Sequence, residues 1–438
     1  MFRRASTLVA ILGIPLYLAA AHASEETGRR AAALYRDGNV AEARALLERW
    51  ISDEPESVDA HIAFTQFRAL LGERERVRAE YEEKAAANPG NRAVRIAEIT
   101  LLTRSLLQYK AFDEFLERNE DFARGWEEYG RVLLEAYRPR DAVGVLEKAV
   151  SLDPNRAKAH LYLGLAYRAR RDVEKEMAEL RRAHELDPND PLIGLELGTT
   201  LAFEGRGEEA ASVLSDLRDD LGDDPELLSV LALVLRETGD VEESERLRAR
   251  TLEVDPGYLD RLLYVGIQCR GTDQYHFGRK ILELAAFLDP EFVEAYMQLG
   301  ILHRTRGESD DAIRVYETAL RHGELNQLAW RNLGMSYKDK GDLAKAEEYV
   351  RRSLDVDPDY LLGWVDLARI LYRRGDQEKS AETWNKVIAM APYGWEAKEA
   401  SHYLFYLEKG EEVPAKTEGG EGWTFPDVEE ARKKRQGK

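Results

Sequence analysis

The chain has 438 residues, 33% of them charged and 44% hydrophobic, and a formal net charge of −19 at pH 7. Such acidity speaks against a general nucleic-acid binder, because neutralising phosphates supplies most of that affinity. A single cysteine, Cys269, excludes an intramolecular disulfide.

At the amino terminus, Arg3 and Arg4 precede an apolar run from Leu8 to Ala20, and Ala21-His22-Ala23 has the small–any–small form of a cleavage site. The expectation is a secretory signal peptide over 1–23, cut before Ser24, and an exported chain, periplasmic or secreted. The run is short for a bilayer and Pro15 interrupts it, so an inner-membrane signal anchor is the alternative. No cysteine follows the run, which excludes a lipoprotein signal.

Residues 24–122 carry faint repeats. Ser24–Glu56 has Leu34, Gly38, Ala43, Leu47 and Pro55, and Val58–Asn91 has Gly72, Tyr81 and Pro89. Arg92–Phe122 lacks both the glycine and the proline and reads as a shortened, degenerate unit.

From 123 to 394 the pattern is plain. Pro154, Pro188, Pro256, Pro290, Pro358 and Pro392 share one 34-residue register, and an Asp precedes all but the last. A fixed period of this size signals a stacked repeat protein and overrides the two or three globular domains that length alone suggests. Eight units start at Ala123, Ala157, Pro191, Pro225, Leu259, Val293, Gln327 and Leu361. Position 8 of each is small (Gly130, Gly164, Gly198, Ala232, Gly266, Gly300, Gly334, Ala368). Together with positions 4, 7 and 11 it marks one face of a first helix. Glycine near position 15 ends that helix, as at Gly205, Gly239, Gly307, Gly341 and Gly375. A second helix follows, with Ala142, Ala210, Ala312 and Ala346 at position 20 and larger residues such as Leu146, Tyr316 and Trp384 at position 24. Asp-Pro is expected to stop it and start the next unit, the Asp as a cap and the Pro in the first helical turn. Two breaks stand out. One unit closes late, at Pro225, which makes 215–224 an altered loop, and His322-Gly323-Glu324 replaces one Asp-Pro. Residues 395–409 form an amphipathic capping helix, and 410–438 a polar, charged tail with Trp423-Thr424-Phe425-Pro426.

Trp330, Leu333, Gly334, Tyr337, Ala346 and Pro358, with Trp126, Tyr129, Gly130, Ala142 and Pro154, make the chain resemble the tetratricopeptide repeat family. The resemblance implies an all-α, right-handed superhelical solenoid of antiparallel helix pairs, about eleven with the degenerate ones. It also implies that positions 2, 5, 9 and 12 of each first helix line a concave groove.

Catalytic, nucleotide-binding and zinc motifs are absent from the sequence, so no enzyme activity, cofactor or metal is expected. Cys269, His160 and His303 stand at core positions. The groove positions carry the candidate site: a basic ladder of Arg168, Arg236, Arg270, Arg304 and Lys338 at position 12, beside an apolar stripe that includes Leu263, Ile267, Met297, Ile301 and Met335. A cation at position 12 also suits the helix dipole, so the ladder has a structural explanation as well. Positions 5 and 9 hold no Lys and Asn pairs of the kind that clamp a terminal carboxylate, which argues against an EEVD-type tail as ligand. The leading expectation is a non-enzymatic exported scaffold that binds protein or peptide segments with acidic and apolar groups, and no nucleic acid. The alternatives are a component of an envelope polysaccharide synthesis or export complex, and a support subunit for an enzyme encoded elsewhere. A pentatricopeptide RNA binder fits the period of 34, the Asp-Pro ends and the charge less well.

Overall fold

A computed structural model describes residues 26–102, 106–136, 138–270, 274–323 and 326–413. The expected signal peptide and the tail motif at 423–426 lie outside them. Among the described residues every regular element is a helix, and no helix is long and apolar enough to cross a membrane. The chain divides into two compact units, Met1–Leu288 and Asp289–Lys438.

In the first unit, helix pairs follow one another: α1 Glu26–Arg36 with α2 Val40–Asp53, α3 Val58–Leu70 with α4 Arg74–Ala87, and the shortened α5 Arg92–Leu101 with α6 Leu106–Leu116. Then come α7 Ala123–Glu135 with α8 Pro139–Leu152, α9 Ala157–Arg170 with α10 Val173–Leu186, and α11 Pro191–Phe203 with α12 Gly207–Asp216. A short α13, Arg218–Leu221, fills the altered loop, and Leu217 before it is buried beneath Gly194. The unit ends with α14 Pro225–Thr238, α15 Val241–Val254, α16 Tyr258–Cys269 and α17 Tyr275–Leu288. The second unit holds α18 Val293–Thr305, α19 Ser309–His322, α20 Gln327–Lys340, α21 Leu343–Val356, α22 Leu361–Arg373, α23 Gln377–Met390 and the cap α24 Trp395–Lys409.

Glycine at position 8 is what lets six of the eight pairs close. An added Cβ at Gly164 would lie 3.0 Å from Leu180, and one at Gly334 2.8 Å from Val350 and 2.9 Å from the Ala346 carbonyl oxygen. Position 8 therefore packs on positions 20 and 24 of its own unit. Where position 8 is Ala, position 20 is a buried Ser: Ser244 donates to the Ala232 carbonyl at 2.7 Å and Ser380 to that of Ala368 at 2.9 Å.

Asp224-Pro225 is the expected junction, with the Asp224 side chain accepting from Glu226 and Leu227 N–H (3.0 and 3.1 Å) and Pro225 in the first turn of α14, whereas the Asp-Pro junctions of the 34-residue register work differently. Asp153, Asp187, Asp255 and Asp357 are C-cap residues of the outgoing second helices. Their side chains face forward: Asp153 accepts from Asn155 N–H (3.2 Å), Asp255 from Gly257 (3.0 Å) and Asp357 from Asp359 (3.0 Å). These are Asx turns, a local bond that Asp makes without a helix. The proline lies inside the turn, and its carbonyl is taken up by the ring at position 4 of the next helix. Trp364 Nε1 donates to the Pro358 carbonyl (2.8 Å), His160 Nε2 to Pro154 (3.0 Å), and His61 Nε2 to Pro55 (3.0 Å). A ring with an apolar body and an N–H tip meets both needs of that site.

Glycine at position 15 takes a left-handed φ, 72° at Gly205 and 91° at Gly341. Arg171 occupies the same position with φ 63°, the one non-glycine residue with positive φ among the described residues. A side chain there costs roughly 1–2 kcal/mol.

Candidate functional site

In the first unit, the first helices α9 and α11 are buried on nearly every face, as is much of α7. The charged side chains at inner positions satisfy one another. Arg124 reaches Asp59 (2.7 Å), Glu127 (2.9 Å) and Glu128 (2.6 Å), Arg131 holds Glu128 (2.8 Å), and Arg156 holds Glu127 (2.6 Å). Burial raises the Glu128 carboxyl, but Arg131 and Arg124 outweigh it and hold it down at about 2. Lys158 pairs with Asp190 at 2.7 Å, and Arg29 of α1 stands 3.8 Å from Asp187 and from Asp190. The unit thus returns on itself and fills this stretch of its inner face. Leu161 and Leu195 at position 5 and Leu165 at position 9, where the resemblance puts the groove lining, are at most 2% exposed.

Arg168, the first rung of the expected ladder, also turns inward. Its guanidinium meets Glu176 (2.7 Å), Glu196 (2.8 Å) and the Thr200 hydroxyl (2.8 Å). The solvent-facing cation expected from its repeat position is replaced by an internal ion pair. Two buried carboxylates share this one cation. Burial pushes Glu196 up to about 7 against the pull of Arg168.

The other rungs are nearer solvent. Arg236 is exposed, lies 3.3 Å from Glu245 and covers the Phe287 ring. Arg270 is the exposed C-cap of α16, on which Leu263 and Ile267 are half-buried.

In the second unit, Arg304 (α18) and Lys338 (α20) come together. Arg304 lies 3.0 Å from Asp339 and Lys338 3.9 Å from the same carboxylate. Burial lowers the Lys338 ammonium, and the nearby Arg373 and Arg304 add to this against Asp339 and Asp366. Beneath them Met297 and Met335 are buried and Ile301 is half-buried; Met297 and Ile301 join the core of α18–α22. The apolar stripe therefore serves mainly as packing, with its cations above it. Tyr372, at position 12 of α22, accepts a hydrogen bond from Val413 N–H at 2.7 Å, so the chain after α24 comes back to this face.

Ion pairs that the 34-residue pattern does not reveal knit neighbouring repeats. Arg331 lies 2.6 Å from Asp366, and Arg369 binds both oxygens of Glu399 (2.8 and 2.6 Å). The available signal was opposite charges at inner positions separated by about one repeat. His303, Glu308 and Asp311 bring ligand atoms within 4.8 Å of one another. They already have internal partners, Glu308 on His303 Nδ1 (2.7 Å) and Arg314 on Asp311, and carry no argument for an ion.

This is an all-helical repeat architecture of paired helices, with polar networks threaded along its inner positions. Family models for the tetratricopeptide repeat match residues 130–191, 297–360 and 332–394, and a second such model matches 27–49. The chain contains tetratricopeptide repeats. It is 29% identical over 93 residues to the TPR repeat-containing protein PA0015 of Pseudomonas aeruginosa, covering 21% of this chain and 89% of that one. It is 31% identical over 107 residues to lipopolysaccharide assembly protein B of Escherichia coli (24% and 26%). To the human protein O-mannosyl-transferase TMTC1 it is 26% identical over 222 residues (48% and 24%). The chain spans about a quarter of the length of the last two.

Proposed function

We propose that this chain is an exported, non-enzymatic scaffold, and that the inner face of its second unit holds a protein or peptide segment bearing carboxylates. The observation that carries the proposal is the grouping of Lys338 with Arg304 and Arg373, in a protein of net charge −19. The three cations are set against two carboxylates, Asp339 and Asp366, which leaves a local excess of positive charge for an acidic ligand to meet. Repeat solenoids of this kind typically present such surfaces to partners. The Arg3-Arg4 to Ala23 pattern supports export. A second reading, participation in envelope polysaccharide assembly, is favoured by the likeness to lipopolysaccharide assembly protein B.

The test is capture from an envelope fraction by the wild-type chain and by the Arg304→Ser, Lys338→Ser, Arg373→Ser triple variant. The expected result is a partner retained by the wild type with an affinity that falls as salt rises, and lost or salt-insensitive in the variant, with the helical circular dichroism unchanged. Equal capture at equal salt slope by the two proteins overturns the site. Capture of polysaccharide instead of protein selects the second reading.

A further inference from the structure

The repeat that starts at Ala157 departs from the pattern of its neighbours at two positions, 15 and 20, and both side chains line one cavity together with the position-12 arginine. Position 12 is the inward-turned Arg168. Position 15 is Arg171, where five other units carry glycine. Position 20 is Glu176, where the other units have Ala, Ser or Gly. A repeat that breaks its own packing rules at two positions around one space marks that space as functional.

The cavity measures about 600 Å³ and lies within the first unit, between the ends of α9 and α11 and the first turns of α10 and α17. That volume is in the range of small-molecule sites. The amino end of α17 reaches back across two or more repeats to close it. The Phe277 ring centroid is 6.0 Å from that of Phe203, and the Arg168 guanidinium lies 5.2 Å from the same ring. The lining is cationic, with Arg168, Arg171, Arg279 and Lys280 against Glu176 and Glu204. Arg168 is already held by Glu176 and Glu196, and Arg279 and Lys280 share Glu283 at 2.6 and 3.8 Å. Arg171 differs from all of these. It is exposed, and among the described residues it has no carboxylate partner, only the face of Tyr275 at 5.8 Å. The first turns of α10 and α17 add the positive ends of two helix dipoles.

We propose that this cavity binds a small organic anion. Arg171 receives its carboxylate or phosphate, and its flat apolar body lies against Phe203 and Phe277. Planar guanidinium matches the two oxygens of such groups, and the paired rings supply the apolar wall. The strained backbone at Arg171 is then the cost of placing a guanidinium at the mouth. This site is separate from the inner face of the second unit and does not depend on it.

The Arg171→Gly variant separates ligand binding from folding. It restores the residue that neighbouring repeats use at this turn, so its melting temperature is expected to equal or exceed that of the wild type. Titration calorimetry on the full chain uses phenyl phosphate, inorganic phosphate and benzyl alcohol. Saturable binding of phenyl phosphate is expected, at least tenfold tighter than either of the others and weakened at least tenfold in Arg171→Gly. Phe277→Ala is expected to weaken phenyl phosphate and leave inorganic phosphate unchanged. No saturable binding of phenyl phosphate, or equal binding by wild type and Arg171→Gly, overturns the proposal. So does an Arg171→Gly protein that melts lower and binds nothing more weakly, which would make the Tyr275 contact the reason for the arginine. Displacement of phenyl phosphate at far lower concentration by an acidic pentapeptide with a central phenylalanine would assign the cavity to a protein partner instead.

Discussion

Gly334→Ala tests the packing on which every repeat rests. A methyl at this position would sit 2.8 Å from Val350 Cγ2, 2.9 Å from the Ala346 carbonyl oxygen and 3.1 Å from Val350 N. Two of the three contacts are backbone atoms of α21, so no rotamer change relieves them and α20 and α21 must move apart. Overpacking of this kind costs ~1–3 kcal/mol. Replacing a mid-helix glycine by alanine gains ~0.8–1 kcal/mol of helix propensity, which offsets part of it. Because the clash is with backbone, the upper part of the range applies, and a net loss of about 1–2 kcal/mol is expected. Gly144→Ala in α8 is the matched control. It has nothing within 4 Å of the added methyl, so only the propensity gain remains and stability should rise by ~0.5–1 kcal/mol. Urea unfolding midpoints give the two signs. Native-state hydrogen exchange gives the location, with protection lost first in α20 and α21, since repeats couple chiefly to their neighbours. A Gly334→Ala protein as stable as the wild type, or one that loses protection evenly along the chain, would refute the reasoning.

Two further outcomes follow from buried groups. Glu196 has its folded-state pKa raised to about 7 from an ordinary 4.5. The folded state therefore binds more protons than the unfolded state between these values, and its contribution to stability is present below about 4.5 and lost as pH rises through about 7. Urea midpoints at pH 5 and pH 8 should show this loss in the wild type and a flatter profile in Glu196→Gln; an unchanged slope would refute the assignment. Trp384 is fully buried and stacks on Tyr403 at 4.8 Å, so Trp384→Ala should cost ~3–5 kcal/mol at that site. Limited proteolysis should then cut first within α24, and resistance equal to that of the wild type would show that the cap does not depend on this ring.

The sequence by itself determined the helix pairs, their turns and the small residue between them. Each depends on neighbours within one 34-residue unit, so the period exposes it directly: Gly334 opposite Val350, Gly341 at its turn, Pro358 between units. Short range did not guarantee the right role, since Asp357 shapes an Asx turn where a helix cap was expected, and Trp364 closes that turn through its ring N–H. Only the tertiary structure decided what the inner positions do. Arg124 finds Asp59 from 65 residues away, Arg29 approaches Asp187, and Phe277 comes to lie under Arg168. No periodicity specifies such pairings, because they depend on how far the stack turns per repeat, a small angle summed over several interfaces. A basic side chain at the same repeat position is therefore an internal ion pair at Arg168 and part of a half-buried charge cluster at Lys338. The distinction rests on whether the chain closes over that stretch of the stack, as it does over Arg168 in the first unit.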